Sequence, residues 1–183
     1  MTTVLSAALN ASFYVSWMVA SFIFVAPTAL TMVLYAVGSQ DRVALQSRLR
    51  LTLGVSALIA VLAELVLWAG AGLFLRAVGP SYAEQATVCL RILGLGALPL
   101  TIKLHFVALY RTDGRIGRAA LVSGAGGLLE VLMAAAGAHW GGLTGLSLGW
   151  VLAMAIEAAF MAPAVYRAAF GGRGEEDPGN SGN

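Results

Sequence analysis

Long apolar segments alternate with short polar ones along this chain. Five segments stay apolar over about 20 residues or more, the length that an α-helix needs to cross the hydrocarbon core of a bilayer. They cover residues 11–37, 51–75, 88–110, 119–139 and 143–166. The pattern predicts an all-α protein, namely a polytopic transmembrane helical bundle with about five spans.

The two ends of the chain differ in character. Residues 1–170 form one predicted transmembrane domain, whereas residues 171–183 are rich in glycine and acidic residues and predict a disordered tail. A signal peptide is a poor interpretation of the N-terminus. No basic residue precedes Arg42, and the first apolar run is too long for the core of a signal sequence.

Basic residues are unequally shared between the two sides of the predicted bundle. One side carries eight arginines: Arg42, Arg48, Arg50, Arg111, Arg115, Arg118, Arg167 and Arg173. The other side carries only Arg76 and Arg91. Cytoplasmic loops of membrane proteins are enriched in lysine and arginine. The N-terminus is therefore expected outside the cell and the C-terminus, with the tail, in the cytoplasm.

The composition supports a membrane protein and excludes other classes. Hydrophobic residues make up 59% of the chain and charged residues 11%, against about 45–50% and 25% in soluble domains. The bilayer is therefore the first expected partner. The net charge of +2 is small and no basic face is apparent, so no nucleic acid is expected as a partner. One cysteine and two histidines without ligand spacing predict no metal site.

The sequence carries no motif of a common enzyme class. A nucleophile elbow, a Walker motif, an HExxH motif and paired carboxylates on one helix face are all missing. The glycine-rich stretch at 123–127 lies inside a predicted span and does not follow a strand. The protein is therefore not expected to be an enzyme, and no catalytic residue and no cofactor are predicted.

Four ionisable residues fall near the centre of the predicted spans: Lys103, Glu64, Glu130 and Glu157. A charge at the bilayer centre costs about 2.5–3.5 kcal/mol on insertion scales, so such residues face a protein interior or a wet cavity. Two interpretations remain open. The groups pair and hold helices together, or they line a cavity and contact a substrate. Since there are three acids and one lysine, at least one acid must be protonated, hydrated or paired elsewhere.

Further polar residues complete the set of candidates. His105 is included as a cavity candidate. It lies two residues from Lys103, which places it on another helix face, where a packed, hydrogen-bonded histidine is the commoner case. Arg111 and Arg115 lie at the predicted cytoplasmic mouth, where they attract anionic headgroups or simply follow the topology.

Glycine and proline predict local features of the helices. Pro99, with two glycines before it, predicts a kink in the middle of the third span, and Pro27 predicts one in the first. Gly145 and Gly149 share one helix face. They predict close packing of the fourth and fifth spans as a hairpin.

Three stretches resemble bacterial polysaccharide-export flippases of the multidrug/oligosaccharidyl-lipid/polysaccharide exporter superfamily. They are "FYVSWMVASFIFVAPTALTMVLYAVGSQD" at 13–41, the region 73–115, and "WGGLTGLSLGWVLAMAIEA" at 140–158. The matching residues are Gly79, Tyr82, Ala83, Leu90, Arg91, Leu93, Pro99, Arg111, Gly114, Arg115, Gly142, Gly145 and Trp150. Together the resemblance covers residues 11–168.

The resemblance implies a function in the bacterial inner membrane. Family members usually form two helical lobes around a central cavity and move lipid-linked sugars from the inner to the outer leaflet by alternating access. This chain would then contribute most of the C-terminal lobe, in the export of a polysaccharide or of the lipid-linked sugar of a lipopolysaccharide. Its implied partners are the lipid-linked sugar and a missing N-terminal lobe or partner chain. In such a lobe Lys103 would face the cavity and contact the phosphate of the lipid-linked sugar.

A second class of function stays open at this point. The glycine faces and the unbalanced glutamates would also serve a small membrane scaffold, or assembly partner, that moves nothing itself. Transport predicts that the buried charges meet a wet cavity. Scaffolding predicts that they are dry and paired.

Overall fold

The computed structural model describes residues 6–38 and 42–171. Every element within them is a helix: α1 Ala7–Gly38, α2 Arg42–Val78, α3 Pro80–Leu95, α4 Ala97–Thr112 and α5 Ile116–Phe170. The all-α fold is therefore confirmed. Four stretches are long and apolar enough to cross a membrane: Ala7–Ala36, Ala44–Val78, Ala86–Thr112 and Ile116–Phe170. The predicted tail lies, apart from Gly171, outside the described residues.

The 55 residues of α5 fold as two helical arms that lie side by side. Gly141 and Gly142 have non-helical backbone angles, and Gly142 has a φ of 55°, which glycine adopts without a steric cost. A Cβ atom on Gly137 would overlap the carbonyl oxygen of Gly145, and one on Gly149 would overlap that of Met133. The two backbones are thus in direct contact and antiparallel, and the predicted glycine-packed hairpin is confirmed.

The predicted third span is divided at Gly96, three residues before Pro99, and the predicted break in the middle of this span is confirmed. Gly96 is the single residue between α3 and α4. Pro99 lies in the first turn of α4, where a missing backbone N–H costs little because the first N–H groups of a helix have no intrahelical acceptor. The glycine at the break has a packing reason, because a Cβ atom on Gly96 would meet the indole ring of Trp150.

Two apolar clusters fill opposite ends of the bundle. One includes Leu67, Leu75, Leu90 and Leu93, and the other includes Leu34, Leu49, Leu109 and Val165. Two arginines lie beside the second cluster. Arg50 donates a hydrogen bond to the carbonyl oxygen of Ala169 at 2.5 Å, and Arg118 lies over the ring of Tyr110. Arginines that the sequence assigns to one side of a membrane therefore meet at one end of the fold.

Large apolar side chains cover the outside of the bundle. Phe22, Leu73, Leu121 and Phe160 are each more than 70% exposed. A soluble domain rarely presents so continuous an apolar surface to water. The outer surface is therefore suited to contact with lipid hydrocarbon.

Candidate functional site

Three of the predicted polar residues meet in the interior of the bundle. Lys103 extends from α4 between the two arms of α5, and its ammonium lies 2.5 Å from Glu130 Oε1 and 2.8 Å from Glu157 Oε2. The side chains are 17%, 16% and 5% exposed, in that order. We call these residues the charged cluster. The pairing that was one of the two open interpretations is therefore present, and it joins α4 to both arms of α5.

The two carboxylates of the charged cluster are not equivalent. Lys103 donates a hydrogen bond to Glu130, whereas its contact with Glu157 is an ion pair without hydrogen-bond geometry. Neither oxygen of Glu157 accepts a hydrogen bond of normal geometry from the described residues. The carboxylate of Glu157 lies directly against Gly126 on the opposite arm of α5, where any larger residue would displace it.

Trp150 is a further member of this site, although the sequence analysis does not include it among the candidate site residues. Its indole N–H donates a hydrogen bond of 2.9 Å to Oε2 of Glu130. Its ring also lies edge-on to Trp17 of α1, with 4.8 Å between ring centroids. A signal was available in the sequence, since a tryptophan deep in a membrane span needs an acceptor for its N–H.

A half-open cavity of about 580 Å³ lies beside the charged cluster, between α1 and α5. We call it the aromatic cavity. Its lining residues are Phe13, Tyr14, Trp17, Glu130, Val131, Ala134, Ala135, Ala138, Leu146 and Trp150. Glu130 is the only charged residue among them. The cavity thus offers aromatic faces and one carboxylate to an occupant, in the manner of a small-molecule site.

The charge balance of the cluster determines what it can do. Two carboxylates share one ammonium, so the fully ionised cluster has a net charge of −1. Leaving that charge buried without a partner is costly. A proton, or donors such as hydroxyl groups on a molecule in the aromatic cavity, would complete the set. The cluster therefore favours a neutral, hydroxyl-rich or cationic group over an anion at Glu130.

Glu64 lies apart from the charged cluster, between α2 and α3. Its carboxylate lies against Gly94, where a Cβ atom would overlap it. Trp68 lies close by, but neither oxygen of Glu64 accepts a hydrogen bond of normal geometry from the described residues. Glu64 thus does not line the aromatic cavity, although it shares with Glu157 the setting of a buried carboxylate against a glycine.

His105 is also separate from the site. It is fully buried, with Nδ1 2.8 Å from the carbonyl oxygen of Thr101 and Nε2 3.1 Å from the hydroxyl of Thr52. Both ring nitrogens are thus hydrogen-bonded, as expected for a packed histidine. Arg111 and Arg115 are exposed near the end of α4, at the arginine-rich end of the fold. The structure therefore brings together Lys103, Glu130 and Glu157 and leaves the other candidates elsewhere.

Comparisons with known proteins return no match: no protein-family model fits the chain, and neither a curated protein nor a solved structure is significantly similar to it.

Proposed function

We propose that this protein is one lobe of a flippase-type transporter for a lipid-linked oligosaccharide in a bacterial inner membrane. The observation that supports this most directly is the charged cluster, which opens through Glu130 into the aromatic cavity. Charged residues within membrane helices commonly mark a transport path. The sequence resemblance supplies the class of substrate.

The lining of the aromatic cavity suits a sugar. Rings of sugars pack on aromatic faces, here those of Phe13, Tyr14, Trp17 and Trp150, and their hydroxyl groups donate to carboxylates such as Glu130. The cavity is open on one side. In this proposal a second lobe closes that side, since alternating access needs two bodies that move about a shared site.

The proposed topology has five crossings. They are α1, α2, the combined α3 and α4, and each arm of α5, with the arginine-rich end in the cytoplasm. Under this arrangement the aromatic cavity lies toward the outer leaflet. A direct contact between Lys103 and the phosphate of the substrate stays a prediction. Two carboxylates already lie beside the ammonium of Lys103, and a phosphate would have to compete with them.

A photoactivatable lipid-linked sugar tests this proposal. A polyprenyl-diphosphate saccharide with a diazirine on the sugar is irradiated with the reconstituted protein, and adducts are mapped by mass spectrometry. We expect adducts in residues 13–17 and 130–138 that an excess of unlabelled compound removes. Ala135→Trp, which fills the cavity, should abolish them, whereas Ala136→Trp on the adjacent residue outside the lining should not. Adducts scattered over the lipid-facing surface, or unaffected by competitor, would contradict the proposal.

A membrane scaffold without transport is the second candidate, and one observation favours it. The ammonium of Lys103 lies within ion-pair distance of two carboxylates, which is what a structural tie between α4 and α5 requires. In this case the aromatic cavity would hold hydrocarbon or another protein helix. The two candidates differ in whether water reaches the aromatic cavity.

A further inference from the structure

A second groove lies between α1 and α4, at the arginine-rich end of the fold. It encloses about 320 Å³ and has two matching walls. The α1 wall consists of Thr28, Thr31, Met32 and Tyr35, and the α4 wall of Leu104, Val107, Ala108 and Arg111. Each set has the spacing i, i+3, i+4, i+7, so each is one continuous face of a helix. We call this the α1–α4 groove.

The walls of the α1–α4 groove are apolar along most of their length. Leu104 and Val107 supply hydrocarbon directly. The hydroxyl of Thr28 donates to the carbonyl oxygen of Phe24 at 2.7 Å, and that of Thr31 donates to the carbonyl oxygen of Pro27 at 3.0 Å. Because both hydroxyl hydrogens are used within α1, neither threonine has a donor left for a ligand. The interior of the groove thus suits a hydrocarbon chain.

The end of the groove is different in character. The guanidinium of Arg111 lies over the ring of Tyr35, with 5.1 Å between its central carbon and the ring centroid. Stacking fixes the plane of a guanidinium and leaves the N–H groups along its edge available. Arg111 is exposed, and Tyr35 is 38% exposed and carries a phenolic donor of its own. Two donors therefore stand where the apolar groove ends.

We propose that the α1–α4 groove binds an anionic membrane phospholipid. One acyl chain lies along the apolar walls, and the phosphate is held by Arg111 and by the hydroxyl of Tyr35. The groove extends about 10 Å along the helices from its apolar end to Arg111. The acyl chain therefore lies against the apolar walls, and the phosphate lies beside Arg111. It is too small for a helix, which is about 10 Å wide. This inference does not depend on the proposed transport of a sugar.

Lipid binding to the purified, delipidated protein tests the proposal. Native mass spectrometry measures binding of dioleoylphosphatidylglycerol, with dioleoylphosphatidylcholine and sodium phosphate as the comparison ligands. Removal of a charge-assisted contact should weaken phosphatidylglycerol binding about tenfold in Arg111→Ala. Arg111→Lys should recover part of this loss, because it keeps the charge but not the planar fork. Arg115→Ala, which removes an arginine outside the groove, should change binding less than about twofold.

A second variant tests the place of the acyl chain without changing any charge. Met32 is 67% exposed and lines the groove, so Met32→Trp fills it without disturbing the core. This variant should also weaken phosphatidylglycerol binding, while its helical circular dichroism stays unchanged.

Three results would overturn the proposal. The first is equal phosphatidylglycerol binding by Arg111→Ala and the unsubstituted protein. The second is an equal loss in Arg115→Ala, which would mean unspecific attraction to the whole basic end. The third is displacement of the lipid by sodium phosphate at the same concentration, which would identify a site for free phosphate and not for a lipid.

Discussion

Lys103→Met should destabilise the protein by about 3–5 kcal/mol, because removal of one partner leaves an uncompensated charge in the interior. Glu130 and Glu157 would then face each other with no ammonium between them. The free energy of unfolding, measured by titrating the detergent-solubilised protein with a denaturing detergent and following its circular dichroism, reports the change.

The triple variant Lys103→Met/Glu130→Gln/Glu157→Gln is the matched control. It removes all charges of the cluster together, and replacement of a whole buried ion pair by neutral groups is often nearly neutral for stability. We expect the triple variant to recover most of the lost stability. Arg115→Ala, a control at an exposed position, should have a free energy of unfolding within about 0.5 kcal/mol of that of the unsubstituted protein. If the free energy of unfolding of Lys103→Met were within about 1 kcal/mol of that of the unsubstituted protein, the close pairing of the cluster would be disproved.

Gly137→Val should open the hairpin of α5 and cost about 3 kcal/mol, toward the upper end of what overpacking usually costs. The atom in the way is the carbonyl oxygen of Gly145, which belongs to the backbone and cannot rotate aside as a side chain can. The two arms must therefore separate, and Glu157 must move away from Glu130. Unfolding with a denaturing detergent measures the change in the free energy of unfolding. The distance between a pair of spin labels, one on each arm of α5, measures how far the arms separate.

Gly127→Ala serves as the control for this substitution, since it lies in the same arm of α5. A Cβ atom there meets nothing within 4 Å. Because alanine favours a helix over glycine by about 1 kcal/mol, this change should be neutral or slightly stabilising. A Gly137→Val protein as stable as Gly127→Ala, with unchanged spin-label distances, would be incompatible with backbone contact between the arms.

The helices follow from the sequence because their signals are local. Apolar runs of sufficient length predict helices directly, and the glycines around residue 141 predict the turn of the hairpin. The break between α3 and α4 also has a local signal, because Pro99 disturbs the turn before it and the helix divides there, at Gly96. The need for a glycine at position 96 is not visible locally, since it comes from the ring of Trp150 in another helix.

The site could be predicted only in part. Charge alone indicates that Lys103 pairs with glutamates, but three were available, and helix packing decides that Glu130 and Glu157 are the partners. The separation of His105 from Lys103 was predictable, since two residues on a helix differ by about 200°. The glycine against Glu157 was not, because Gly126 becomes meaningful only when the opposite arm is in place.

Thiol labelling in sealed vesicles tests most directly whether the aromatic cavity is a wet transport site. Cys89 is buried and is first replaced by alanine, so that each variant carries one thiol. Ala135→Cys lines the cavity, whereas Ala136→Cys is also exposed but lies outside the lining and faces lipid in the proposed topology. Thiolates form in water, so a membrane-impermeant methanethiosulfonate should label position 135 at least about tenfold faster than position 136. Equal rates at the two positions, slow or fast, would contradict a water-filled cavity beside the charged cluster.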